Sequence, residues 1–249
     1  MSDQPWFVKA FGADYLKVYA HRDERDAKRA VDCCVAELGL DSRTRTLDLC
    51  CGAGRHLKYL LKQGVPSIGL DLSHDLLAQA LADGLPEKAL IQGDARELPF
   101  ADEGFDRVVN LFTSFGYFDE DAENQRQLNE IARVLKHEGL VLIDHMNPHV
   151  VRANLRERSE EERNGAHIVS HRRIDEQKKR VLKQVEITFA DGRRLAYEES
   201  VRLFDQHEFK AMLDQAGLRW LRSLGDFRGE PKFDPLHSPR QILIARKGE

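Results

Sequence analysis

Apolar residues recur at helical spacing between 23 and 38, where Ala27, Ala30, Val31, Cys34, Val35 and Leu38 are separated by charges. That period predicts an amphipathic helix. From Thr46 the rhythm changes to short apolar runs set between helical ones. Thr46-Leu47-Asp48-Leu49-Cys50, Ser67-Ile68-Gly69-Leu70-Asp71, Ala89-Leu90-Ile91, Phe105 to Leu111 and Leu140-Val141-Leu142-Ile143 read as five strands. Leu57 to Leu61 lie on a helix stopped by Gly64, and Ser73 is placed to cap a helix through Leu76, Leu77 and Ala80. A further helix carries Leu128, Ile131, Ala132 and Leu135. Short apolar strands alternating with helices predict a parallel sheet covered on both faces.

After Pro148 the alternation stops. Residues 150–165 are strongly charged and read as helical, and from Ile168 to Phe204 the pattern is extended, with Asp191-Gly192 as a hairpin turn. Asp205 and Glu208 form a capping box for a helix ended by Gly217, and strands follow near Trp220–Leu224 and Gln241–Ala245. The expected organisation is one α/β unit, residues 41–149 and 205–249, interrupted at 150–204 by a small antiparallel module.

Composition narrows the class. The chain has 249 residues, 41% hydrophobic and 32% charged, with a net charge of −4. A core is available, and indiscriminate binding to nucleic acid is disfavoured. No run of about 18 apolar residues predicts a membrane span. The start, Met1-Ser2-Asp3-Gln4, lacks the layout of a secretion signal, so a cytoplasmic location is expected. Four cysteines stand as adjacent pairs, Cys33-Cys34 and Cys50-Cys51, and neither pair has metal-ligand spacing. Reduced thiols and no metal are expected.

Candidate chemistry sits where strands end. Gly52-Ala53-Gly54 follows the first strand, where glycines let a ligand approach the backbone. Asp71 ends the second strand, where a carboxylate can accept from both hydroxyls of a ribose. Asp94 follows the third. Three such signals at successive strand ends point to a nucleoside-binding crevice.

These segments, Leu47 through Asn147, resemble the motifs of class I S-adenosylmethionine-dependent methyltransferases. The resemblance implies a Rossmann-like doubly wound, mostly parallel seven-stranded sheet, with S-adenosylmethionine as cofactor and S-adenosylhomocysteine as product. It gives Asp48, Cys50, Gly52 and Gly54 to the methionine part of the cofactor, Asp71 to the ribose, and Leu72, Asp94 and Ala95 to the adenine. Asn110 and Leu111 match the cofactor-lining end of the fourth strand. Cys50 departs from the family, which has glycine there. His137-Glu138 departs at a distal turn. A nicotinamide-dependent dehydrogenase is the rival on this fold, but its third small residue would be Leu57.

Residues 1–40 resemble the lid segment and first helix of small-molecule methyltransferases, which makes Tyr15 and Tyr19 further cofactor candidates. Tyr117, His145 and His149 are placed beyond the fourth and fifth strands to serve as a base. A module at 150–204 would cover a small-molecule acceptor carrying nitrogen or oxygen. Arg172-Arg173 and Lys178-Lys179-Arg180 leave RNA open as a partner. A protein acceptor, or cofactor binding without catalysis, is compatible with the same residues. A monomer or a homodimer is expected.

Overall fold

Thr46–Leu49 (β1) is buried along its whole length, as a mostly apolar strand in mid-sheet must be. In the computed structural model, which describes residues 5–12, 24–228 and 232–248, β1 lies between Ser67–Asp71 (β2) and Phe105–Asn110 (β4). Both pairings are parallel, with Thr46 opposite Ser67 on one side and Arg107 on the other. Leu90–Gln92 (β3), Leu135–Met146 (β5), Leu218–Leu224 (β10) and Arg240–Lys247 (β11) complete a seven-stranded sheet ordered β10-β11-β5-β4-β1-β2-β3. Only β11 runs against its neighbours in this sheet. This is the doubly wound, mostly parallel arrangement expected from the alternation.

Helices close both faces. On one, Asp121–Val134 (α5) and Gln206–Gln215 (α7) bring Leu128, Ile131, Phe209 and Leu213 onto Leu47, Leu49 and Phe105. On the other, Glu24–Leu38 (α2) and Arg55–Lys62 (α3) bring Val31, Cys34, Leu38 and Leu60 onto Val109, Leu142 and Ile244. The helix ends follow local chemistry. Ser73 Oγ accepts from Leu76 N at 3.2 Å at the start of His74–Ala82 (α4), and Asp205 and Glu208 make a reciprocal capping box.

Two local readings are corrected. Leu135, expected on a helix, has extended backbone and opens β5. The charged stretch 150–165 is not one helix: Pro148–Ala153 (α6) is a short helix, and Arg158–Arg163 (β6) is a strand. In β6, half-buried Ser159, Glu161 and Arg163 alternate with exposed Arg158, Glu160 and Glu162. That is a period of two carried entirely by polar residues, which suits a sheet edge that must not pair further.

The second sheet is antiparallel, ordered β6-β7-β8-β9, with Ala166–Asp175 (β7), Arg180–Phe189 (β8) and Arg194–Arg202 (β9). Its attachment to the first is specific. The Arg180 guanidinium, 4% exposed, donates to the carbonyls of Gly116, Tyr117 and Phe118 and to Ser200. Arg202 N donates to Gly116 O at 2.9 Å, and the Arg202 side chain pairs with Asp121 and Glu208. The antiparallel sheet is therefore fastened to the loop that follows β4. Among the described residues no helix is long and apolar enough to cross a membrane.

Candidate active site

The strand ends open into a cavity of about 1720 Å³, larger than the roughly 300–1,000 Å³ of a site for one small ligand. Its floor is the β1–α3 loop. Cys50 has φ 60°, Gly52 φ 57° and Gly54 φ 73°, so three residues of this turn are left-handed. A Cβ on Gly54 would meet Leu85 Cδ1 and displace that side chain, and the left-handed backbone already favours glycine there. Gly52 N donates to Asp71 Oδ2 at 2.7 Å, and Ser73 N donates to Asp71 Oδ1 at 2.9 Å. Both carboxylate oxygens are thus held by loop amides, and the carboxylate keeps acceptor capacity beyond them. Burial raises the Asp71 pKa, and the backbone donors pull it back.

Of the residues expected at a cofactor, Cys50, Gly52, Gly54, Asp71, Leu72, Asp94, Ala95 and Leu111 line this cavity. Leu72 is 39% exposed and offers an apolar surface beside Asp71. The Asp94 carboxylate is held by Arg96 N at 2.8 Å and by the Arg96 side chain. Burial would raise its pKa, but the Arg96 bonds hold it below the ordinary value. Arg96 also pairs with Glu123 and lies over the Phe118 ring.

Asp48 and Asn110 stand behind the loop and do not line the cavity. Asn110 Nδ2 donates to Leu49 O at 3.0 Å. Asp48 is 1% exposed, accepts from Leu57 N and has no partner for Oδ2. Burial, then the charge of Asp71, pushes its carboxyl up to about 7. Tyr15 and Tyr19 lie outside the described residues.

The candidate bases separate. Tyr117 lines the cavity, packed by Trp6 with ring centroids at 4.8 Å and by Phe11 at 5.7 Å. Trp6 opens and Phe11 follows the helix Trp6–Ala10 (α1), which lies over this end; Trp6 Nε1 donates to Tyr117 O, and Ser73 Oγ to Phe11 O at 2.6 Å. His145 is fully buried away from the cavity, between Phe204 and Phe209, with Nδ1 2.9 Å from Met146 O. Burial lowers its pKa to about 4. Its position is one of packing. His149 does not line the cavity either.

Sequence reasoning missed Phe112 and Thr113 of the β4–α5 loop. Phe112 and Thr113 have φ 61° and 59°, and neither residue type announces it. Asp144 and Arg240 hold them: Phe112 N donates to Asp144 Oδ2 at 2.8 Å, and Arg240 reaches Asp144 Oδ1 at 2.7 Å and Thr113 Oγ1 at 2.6 Å. The basic run also came out differently. Arg172 lines the cavity, Arg173 lies on the opposite sheet face, Arg180 is buried and Lys179 pairs with Glu208. No continuous basic face results.

Residues 47–143 match the family described as a methyltransferase domain. The chain is 35% identical over 98 residues to a dTDP-3-amino-3,4,6-trideoxy-alpha-D-glucopyranose N,N-dimethyltransferase of Streptomyces venezuelae, covering 39% of this chain and 40% of that protein. The first curated relatives are matched over about half of their length or less. The CcbJ methyltransferase from Streptomyces caelestis superposes with a TM-score of 0.81 at 18% identity, over 97% of this chain and 99% of that one. DesVI of Streptomyces venezuelae superposes with a TM-score of 0.67 at 26% identity, over 91% and 94%. By this domain match and by its fold, the chain is similar to the class I S-adenosylmethionine-dependent methyltransferases. S-adenosylmethionine is the cofactor of that family.

Proposed function

We propose that the protein transfers the methyl group of S-adenosylmethionine to a nitrogen or oxygen of a small-molecule acceptor. The observation that carries this is the Asp71 carboxylate, which lines the cavity and is held in place by Gly52 N and Ser73 N. It fits a ribose edge, and the left-handed Gly52 leaves the adjoining backbone open to a methionine moiety. The cofactor supplies a sulfonium whose methyl is already activated, and S-adenosylhomocysteine leaves.

This chain's residues then have to orient and to exclude water. Trp6, Phe11 and Tyr117 form an aromatic wall over one end of the cavity. Holding two reactants in line contributes on the order of 7–11 kcal/mol in favourable cases. An amine acceptor brings its own lone pair, so transfer needs no side-chain base, and the product's proton goes to solvent. That agrees with a cavity from which His145 is excluded.

We assign residues 41–149 and 205–249 to the cofactor and 150–204 to the acceptor, because Val181, Lys183, Glu199 and Val201 of the antiparallel sheet line the same cavity. The sugar N,N-dimethyltransferase similarity favours a small amine, and the divided basic run offers RNA no broad surface. The test has two readings. Calorimetric titration with S-adenosylhomocysteine should show binding that Asp71→Ala weakens by roughly 2–3 kcal/mol. No heat with the parent protein at millimolar ligand sinks the cofactor assignment. Label from S-adenosylmethionine, offered with a fractionated cell extract, should enter small molecules; label in RNA or protein sinks the acceptor class.

A further inference from the structure

The cavity's positive charges are not equally balanced. Arg240 pairs with Asp144 at 2.7 Å, and Lys183 with Glu199 at 3.3 Å. Arg156 and Arg172 also line the cavity, and among the described residues neither has a carboxylate within 4.0 Å. Arg172, on β7, donates from Nη1 to Ser159 Oγ at 2.9 Å and reaches the Arg156 carbonyl at 3.4 Å. Its backbone N bonds Glu157 O at 2.7 Å, so the α6–β6 connection that carries Arg156 is tied to Arg172's strand. In the sheet register Arg172 stands opposite Lys183, and Lys183 opposite Glu199, so the acid on the next strand is already engaged by Lys183. Val151, Val181 and Val201 line the same cavity.

From this arrangement we infer that Arg156 and Arg172 form an oxyanion subsite, and that the acceptor is a small amine bearing a phosphate. Two guanidinium forks match the oxygens of a doubly charged phosphate better than those of a single carboxylate. The valines suit the body of the molecule between phosphate and amine. The subsite also serves the chemistry. A nearby phosphate would favour the ammonium form, which has no lone pair to attack; two arginines cancel that charge and leave the amine free to be neutral.

The inference rests on the methyl-transfer reading, and its test separates the two. Inorganic pyrophosphate is titrated calorimetrically into the protein with and without S-adenosylhomocysteine, at ionic strength matched with sodium chloride, and succinate is titrated in parallel. Pyrophosphate should bind, and succinate more weakly. Arg156→Ala/Arg172→Ala should weaken pyrophosphate by at least about tenfold, the loss expected for charge-assisted hydrogen bonds, and change S-adenosylhomocysteine affinity less than about twofold. Pyrophosphate binding that is absent, equalled by succinate, or unchanged in the double variant overturns the subsite. Failure of S-adenosylhomocysteine alone to bind overturns the cofactor assignment instead, while the pyrophosphate arm still reports on the arginines.

Discussion

The loops after β1 and β4 meet the same cavity, and both turn through left-handed backbone, yet they are built in opposite ways. After β1 the conformation is met largely by residue type, with Gly52 and Gly54 at positive φ and Cys50 as the exception. After β4, Phe112 and Thr113 take φ 61° and 59° with no glycine among the strained pair. There the conformation is imposed from outside: Asp144 accepts from Phe112 N, and Arg240 bridges Asp144 and Thr113. Local sequence sets the first loop. Tertiary hydrogen bonds set the second, and strain at such sites persists only where the surroundings over-determine it.

The largest effect should come from removing that outside hold. Arg240→Ala leaves the Asp144 carboxylate, itself 1% exposed, without its cation. Breaking one side of a buried pair costs about 3–5 kcal/mol. Chemical denaturation should register a loss in this range, and hydrogen exchange should rise first at the Phe112 and Thr113 amides. A loss below about 1 kcal/mol with unchanged exchange would mean that the loop holds itself, and the contrast between the loops would collapse.

This contrast also explains what the sequence made legible. Thr46–Leu49, Ser67–Asp71 and the capping box at Asp205 rest on local pattern, and the structure has them where the pattern put them. Gly52, Gly54, Asp71 and Asp94 follow the same logic, since a turn glycine or a strand-end acid is a statement about neighbouring residues. His145 shows the limit: its place in the chain suited a base, but alternation along β5 turned its ring onto Phe204 and Phe209, far apart in sequence. Arg180 sits in what reads as a solvated basic run, and nothing nearby reveals the three loop carbonyls that bury it. β6 escaped because its period of two has no apolar residue to carry it. What was missed depends on contacts across the chain.

A second, intermediate effect tests the floor beneath the β1–α3 loop. Burial first, and Asp71 second, raise the Asp48 carboxyl from 3.8 to about 7. The folded state therefore binds this proton more tightly than the unfolded chain does, and stability falls as pH rises between those two values. Asp48→Asn removes the ionisation. It should be more stable than the parent at pH 8 by on the order of 4 kcal/mol, with the advantage fading toward pH 4. His56 and His145, lowered to about 3 and about 4, act oppositely in both proteins: their contribution is lost as pH falls below their ordinary 6.5. Their effect cancels in the difference between variant and parent. A difference that stays flat between pH 4 and pH 8 would show that Asp48 remains ionised throughout.

The smallest effect is the most direct comparison of the two loops. At a left-handed position alanine is strained and glycine is not, a difference of about 1 kcal/mol after allowing for glycine's looser unfolded chain. Comparing glycine with alanine at one position also cancels the packing that either parent side chain loses. Cys50→Gly should therefore be more stable than Cys50→Ala by about 1 kcal/mol, and Phe112→Gly more stable than Phe112→Ala by a similar amount. The two positions should part in the Arg240→Ala background. Cys50 belongs to a turn fixed by its own glycines and by hydrogen bonds such as Gly54 N to Cys51 O at 3.0 Å, so its glycine advantage should persist. Phe112 is 46% exposed and takes its φ from the Asp144–Arg240 contact, so once that contact is cut the residue can relax and the advantage should shrink toward zero. Denaturation midpoints of the eight variants give the coupling as a difference of differences. An advantage at Phe112 that survives Arg240→Ala would place the origin of its conformation within the loop, and the distinction between a locally set and an externally held turn would not stand.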